Sequence, residues 1–475
     1  MTVNNKSLDP GPLEPLKSDA HNPSTPRPLD PSTPFFGEPR ISVGIMDRRA
    51  EVALRFEGNY HVDSIGPLSE EFFVKAAVGA IVLNDAHNLE ILRSPVIQCS
   101  ASPGSMFRMS NVTIGIDFHW ERKEEQIFQG NLTLKLRHDG TIAVINEINL
   151  EDYLESVISS EMNSGAPREF LKAHAILSRS WLLAALERKK TVSHITGSEG
   201  KINEDEVIRW YDREDHDLYD VCADDHCQRY QGITKIISPQ AEEAVRETRG
   251  MVITAGDKIC DARYSKACGG LTENFETAWD DEHVPYLTSI SDSPLPHQSI
   301  RTEGEARKWI LSEPVAYCNA KETNILDTIL PDFDRQTKDF FRWNVQYPRE
   351  ELEQILGEKS GLDFGTLQAI IPLHRGPSGR ISRLKIVGSK RTVIVGKELE
   401  IRRWLSRSHL YSSAFVVEED TDAKGKVRQF RFHGAGWGHG VGLCQIGAAV
   451  MASKGFSAKE ILLHYFPGTD LLKIY

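Results

Sequence analysis

The stretch HGAGWGHGVGLCQIGAA, residues 433–449, places glycine at 434, 436, 438, 440 and 442 and interleaves the last of them with Trp437 and His439. Glycine at every second position strips a segment of side chains and lets its backbone turn left-handed, so whatever it lies against must come close. A phosphate cradle is excluded: no G-x-G-x-x-G occurs here and no G-K-[ST] follows. Two accounts remain. The bare strand can receive a ligand with flat apolar faces, on which Trp437 stacks and His439 hydrogen-bonds. Alternatively Gly438 and Gly440 let the strand pack on a helix described below, the one that carries Glu161.

The chain has 475 residues, 40% hydrophobic and 26% charged, enough for two or three cores. A net charge of −12 and no dense Lys/Arg cluster argue against nucleic acid or anionic membrane as partners. No apolar run approaches a bilayer span, so no integral membrane segment is expected and the chain reads as soluble. The longest compact run, 76–83, fits a single buried strand or short helix. Nine of the 23 prolines fall in residues 1–40, which show neither a basic cap nor an apolar signal core. That segment reads as a disordered tail without a visible secretory signal.

Residues 41–148 are β-rich, with a hairpin expected around Asp139-Gly140 in NLTLKLRHDGTIAVINEI. Asn149 then suits a helix N-cap, with Glu151 and Asp152 in the first turn. In that helix Leu154, Val157, Ile158 and Glu161 share one face, so an acid occupies the apolar stripe. Removal from water disfavours a carboxylate, the condition a general acid needs near neutrality. The bland alternative is a structural ion pair from Glu161 to Lys172 or Arg179, which share a face of the helix opened by Pro167.

The segment DHDLYDVCADDHC brings His216, Cys222, His226 and Cys227 within twelve residues. Such a Cys2His2 set suits tetrahedral zinc with no open position, hence a structural ion. From spacing alone it reads equally as two cysteines that happen to lie beside two histidines. Five further cysteines remain, Cys99, Cys260, Cys268, Cys318 and Cys444; Cys260 and Cys268 are candidates to pair, although sequence does not fix connectivity. In ARYSKACGGLTENFETAWD, a strand followed by a turn, Tyr264 and Ser265 set a phenol and a hydroxyl beside exposed backbone. Near the C-terminus Ser457 and Glu460 form a capping box for a helix that Pro467-Gly468 stops before a closing strand, DLLKIY.

In order, FQGNLTLKL, LEDYLESVISSEM, PREFLKAHAILSRSW, DVCADDHCQRYQG, YSKACGGLTEN and FHGAGWGHGVGLCQIGAAVMASKGFSAKEILLHYFPGT resemble the stage II sporulation protein D/LytB (amidase enhancer) family of bacterial cell-wall proteins. The resemblance covers about residues 127–475. It implies an α+β fold: a β-rich frame with helices lining a substrate cleft, preceded by the disordered tail. The parts expected are 1–40 (tail), 41–148 (β-rich), 149–296 (helical catalytic and zinc-loop region) and 297–475 (C-terminal α+β part with the glycine motif). Residues 60–125 and 297–350 fit the pattern least and read as insertions.

The resemblance also implies a lytic transglycosylase acting on peptide-denuded glycan strands, with Glu161 as the catalytic acid and His216, Cys222, His226 and Cys227 as ligands of one zinc. Lys172, Arg179, Tyr264, Ser265, Trp437, His439 and Gln445 are the candidate substrate contacts. One acid suffices when the sugar supplies its own nucleophile, and no second acid stands out in the sequence. The same family implies an alternative, a non-catalytic glycan-binding enhancer of a cell-wall amidase; a water-using hydrolase is a third reading. Lys266, Cys444 and the NSGAP after Glu161-Met162 depart from the family's usual pattern. A periplasmic or wall-facing location follows from the resemblance, against the absence of a visible signal.

Overall fold

The computed structural model describes residues 37–475 apart from 63–64, 117–120, 192–198, 212–215, 321–322 and 338. The expected tail therefore lies outside the described residues up to 36, and Arg40 already opens a strand. The architecture is β-rich α+β. One sheet of eleven strands runs in the order Val221–Cys222, Arg40–Arg49, Ile142–Asn149, Asn131–Leu136, Val96–Ala101, Glu51–Val62, Gly66–Ala77, Ala80–Asn84 and Glu90–Ser94, with Met106–Ile114 and Arg122–Gln129 branching from Glu51–Val62.

The hairpin around Asp139-Gly140 forms as expected, Leu136 opposite Ile142, with Gly140 at φ 79°. The run 76–83 does not form one strand. It folds into a hairpin, Ala77 opposite Ala80, because Val78-Gly79 makes the turn and leaves Val78 fully exposed. Residues 60–125 extend the main sheet and share its core through Phe107, Met109 and Val112.

Helix α1, Leu150–Glu161, packs on this sheet, and α2, Arg168–Thr191, packs on α1 and on the strand Met251–Ala255. Asn149 holds the N-cap position without a side-chain cap bond, its amide donating to Asp152 at 3.4 Å; instead Glu38 Oε1 accepts from the Glu151 N–H at 3.0 Å. Cores and sequence parts do not coincide. Residues 441–475 return to the first core, where Asp470–Lys473 pairs antiparallel with Met251–Ala255. A second core, built around Trp343, Leu384, Trp404 and Phe432, belongs to the strands and helices between 342 and 435. The capping box of Ser457 with Glu460 is present at the helix Ala458–Tyr465.

Candidate active site

A cavity of about 830 Å³ opens between these bodies, lined among others by Glu161, Arg229, Tyr264, Gln445, Trp437 and His439. Glu161 is the last residue of α1 and only 7% exposed. Its Oε1 accepts from the Tyr264 hydroxyl at 3.0 Å and from the Arg229 backbone N–H at 3.1 Å. Oε2 carries no hydrogen bond among the described residues. Burial, then the neighbouring Glu161, push the Tyr264 phenol well above its ordinary range, so Tyr264 stays a donor.

The end of α1 leaves backbone carbonyls without helical partners. Lys266 caps one of them: its buried Nζ donates to the Glu161 carbonyl at 2.8 Å and pairs with Asp334 at 2.7 Å. A cation there also suits the negative end of the helix dipole. Lys266 thus has a structural role, and its counter-ion comes from residues 297–350, the segment that fits the family pattern least. Arg229 pairs with Asp225 at 2.5 Å and approaches Asp334 at 3.7 Å. Asp225 and Asp334 therefore line the cavity beside Arg229 and Glu161, where the sequence singled out no second acid. Burial raises the Asp225 carboxyl to about 7, with Arg229 opposing.

The alternative ion pair to Glu161 does not form, and two expected substrate contacts are corrected. Lys172 bonds Glu169 and Glu247 at 2.8 and 2.9 Å. Arg179 is completely buried and grips Glu151, at the other end of α1, through Nε at 3.0 Å and Nη2 at 2.5 Å. Neither lines the cavity. Both face away because the stripe they share on α2 packs on the helix and strand at 239–255.

Behind Tyr264 lies His174, fully buried, its Nε2 3.2 Å from Gln445 Nε2; burial lowers its pKa to about 4. Ser265 lines the cavity with a buried hydroxyl that has no hydrogen-bond partner among the described residues.

The glycine motif resolves differently from either simple account. Gly436, Gly438, Gly440 and Gly442 all have φ between 73° and 93°. A Cβ on Gly434 would stand 2.0 Å from the Trp343 ring, and one on Gly440 2.3 Å from the Arg380 guanidinium. Close packing is thus required, but against Trp343, Arg380 and the 263–268 backbone, not against α1. A Cβ on Gly438 would meet Ser265. Meanwhile Trp437 and His439 remain partly exposed on the cavity wall. Trp437 stacks on Tyr411 at 4.2 Å. His439 Nδ1 accepts the Val441 N–H at 3.0 Å, which places its proton on Nε2; burial lowers its pKa to about 3, so the ring is neutral.

His216, Cys222, His226 and Cys227 converge at the cavity's edge, all four ligand atoms within 4.8 Å of one another. His216 Nε2 lies 3.3 Å from Cys227 Sγ, and His226 Nδ1 lies 3.4 Å from Cys227 Sγ and 3.8 Å from Cys222 Sγ. Tetrahedral zinc with its usual bond lengths requires edges of about 3.3–3.8 Å, so the donor set fits. Val221–Cys222 adds to the edge of the main sheet, and Lys189 of α2 bonds the His216 and Tyr219 carbonyls at 3.0 and 3.1 Å. Among the described residues no disulfide joins any of the cysteines, and Cys268 groups with Cys318 and Cys444 rather than with Cys260.

A family model described as Stage II sporulation protein matches residues 138–254, and one described as Domain of unknown function (DUF8618) matches 273–442. The chain is 24% identical over 327 residues to Stage II sporulation protein D of Bacillus amyloliquefaciens, covering 69% of this chain and 75% of that protein. It is 25% identical over 335 residues to an uncharacterized protein of Brachyspira hyodysenteriae, covering 70% of each. Over 248 residues it is 25% identical to the Amidase enhancer of Bacillus subtilis, covering 48% of this chain and 32% of that protein. Residues 138–254 carry a Stage II sporulation protein domain, in the stretch whose motifs resemble the stage II sporulation protein D/LytB family.

Proposed function

We propose that this protein is a peptidoglycan lytic transglycosylase with Glu161 as its single acid and base. The observation that carries the reading is the state of that carboxyl: buried on a cavity wall, held at Oε1 by two neutral donors, with Oε2 unbonded among the described residues. Protonated on Oε2, Glu161 gives its proton to the glycosidic oxygen as the bond to C1 of N-acetylmuramic acid breaks. Tyr264 and the Arg229 N–H hold the carboxylate that results. It then takes the proton of the muramic 6-hydroxyl as O6 bonds C1. A 1,6-anhydro sugar forms, the leaving strand keeps a free 4-hydroxyl, and no water is consumed.

Trp437 and His439 offer ring surface to the sugar. Tyr264, Ser265 and Gln445 complete the candidate contacts. The four residues His216, Cys222, His226 and Cys227 would hold zinc with no open position, a cross-link that fixes the loop delivering Arg229 to Glu161. On this reading the protein works where glycan strands are, facing the cell wall. Among the described residues no helix is long and apolar enough to cross a membrane.

Mass spectrometry of peptide-free glycan strands incubated with the wild type and with Glu161→Gln tests the reading. Anhydro-muramyl ends from the wild type alone support it; reducing ends point to a hydrolase. The relative named Amidase enhancer favours a second reading, glycan binding that stimulates a cell-wall amidase. That reading requires Glu161→Gln to bind glycan and stimulate amidase as the wild type does, with no cleavage by either.

A further inference from the structure

Away from the cavity, three cysteines and an aspartate that the proposed reaction does not use meet in the core. Cys268 and Cys318 are each 2% exposed, and Cys444 and Asp292 are completely buried. One ligand atom from each lies within 4.8 Å of all the others. None of the four lines the cavity.

We propose that Cys268, Asp292, Cys318 and Cys444 bind a second tetrahedral divalent cation of the zinc class, separate from the Cys2His2 set. The Cys268 and Cys318 Sγ atoms stand 3.8 Å apart. That is the edge of a tetrahedron built on zinc–sulfur bonds of about 2.3 Å, and far from a disulfide's length of about 2.05 Å. A disulfide would also leave the third thiol and the aspartate buried without a counter-charge.

The surroundings are those of thiolate ligands. The Cys268 N–H donates to Cys444 Sγ at 3.2 Å, and the Gly270 N–H donates to Cys268 Sγ at 3.3 Å. The Cys318 N–H bonds Asp292 Oδ2 at 2.9 Å and the Tyr465 hydroxyl bonds Oδ1 at 2.6 Å. Such outer contacts orient metal ligands, and each carboxylate oxygen keeps a second lone pair for the metal. A carboxylate among thiols in a dry core demands positive charge. The half-buried Arg342 guanidinium, which donates to the Gly269 carbonyl at 3.0 Å, supplies part of it, and the cation supplies the rest. Binding displaces the thiol protons to solvent.

The ion would join three distant segments. Cys268 follows the Tyr264–Ser265 strand, Cys318 belongs to the 297–350 segment, and Cys444 is the N-cap of the helix Gln445–Ser453 that carries Gln445. It would therefore hold the glycine motif and the Tyr264 strand in register while taking no part in chemistry. This does not depend on what Glu161 does.

The test is metal stoichiometry by inductively coupled plasma mass spectrometry on the full chain, prepared reduced from zinc-supplemented medium. Wild type should hold two zinc ions, and Cys222→Ser/Cys227→Ser and Cys268→Ser/Cys318→Ser one each. Loaded with Co(II), the Cys222→Ser/Cys227→Ser chain should show the stronger thiolate-to-cobalt absorption, three sulfurs against two. Should the core variant fail to fold, the wild type and the loop variant decide between them. One zinc in the wild type and none in Cys222→Ser/Cys227→Ser overturns the proposal. So does a Cys268–Cys318 disulfide found by peptide mapping of the metal-supplemented chain.

Discussion

The two ends of α1 each bury a glutamate, about 15 Å apart along the helix axis, and treat it in opposite ways. Glu151, in the first turn, is saturated: Arg179 binds both its oxygens, and the Gly250 N–H and Tyr475 hydroxyl add to Oε1. The helix dipole also favours negative charge there. Glu161, in the last turn, receives two neutral donors on one oxygen, and the cation near it is spent on its backbone carbonyl. A carboxylate with both oxygens engaged by a guanidinium is a fastener. One with an unbonded oxygen on a cavity wall has room to hold and release a proton. Burial of an acid therefore says little about its role until its donors are named.

That contrast can be broken by experiment. Glu161→Gln should cut the release of anhydro-muramyl ends by about 10²–10⁴-fold while moving the denaturation midpoint little. Arg179→Met should do the reverse. It leaves Glu151 buried without its cation and should cost about 3–5 kcal/mol of stability, read by denaturant titration. A loss below about 1 kcal/mol would make the two glutamates alike.

Acid should act at the Glu161 end. His174 has its pKa lowered from 6.5 to about 4. Between those values the unfolded chain binds the extra proton, so the stabilisation is complete above pH 6.5 and is lost as pH falls toward 4. Going from pH 7 to pH 5 should cost roughly 2 kcal/mol from this group, with His439 adding in the same direction. Thermal melts across this range check it, and His174→Gln should flatten the slope. The smallest effect is expected from Tyr264→Phe. One hydrogen bond of about 1 kcal/mol should slow anhydro-product formation roughly five- to tenfold and barely shift the melt.

What the sequence made legible was local. Helical spacing put Glu161 on the buried face of α1, and twelve residues held all four members of the Cys2His2 set. Turn and cap chemistry placed the 131–149 hairpin and the Ser457 helix. Missed were contacts made by chain closure: Asp225, Arg229 and Asp334 around Glu161, and the meeting of Cys268 with Cys444 from 176 positions away. Periodicity showed Lys172 and Arg179 on one face but carried no sign of which acid that face would meet. The glycine motif announced close packing without naming Trp343 and Arg380, which lie on a different core.

The return of residues 441–475 to the first core sets an order on folding. Thr254 and Asp470, neighbours across the sheet, are separated by 216 positions, and closing so long a loop is entropically slow to begin. A growing chain released as far as residue 440 would hold α1 and α2 with an uncovered strand edge at 251–255 and half a cavity wall. The cavity would then be complete only when the last segment docks, and until that moment the unpaired edge would need shielding from other chains.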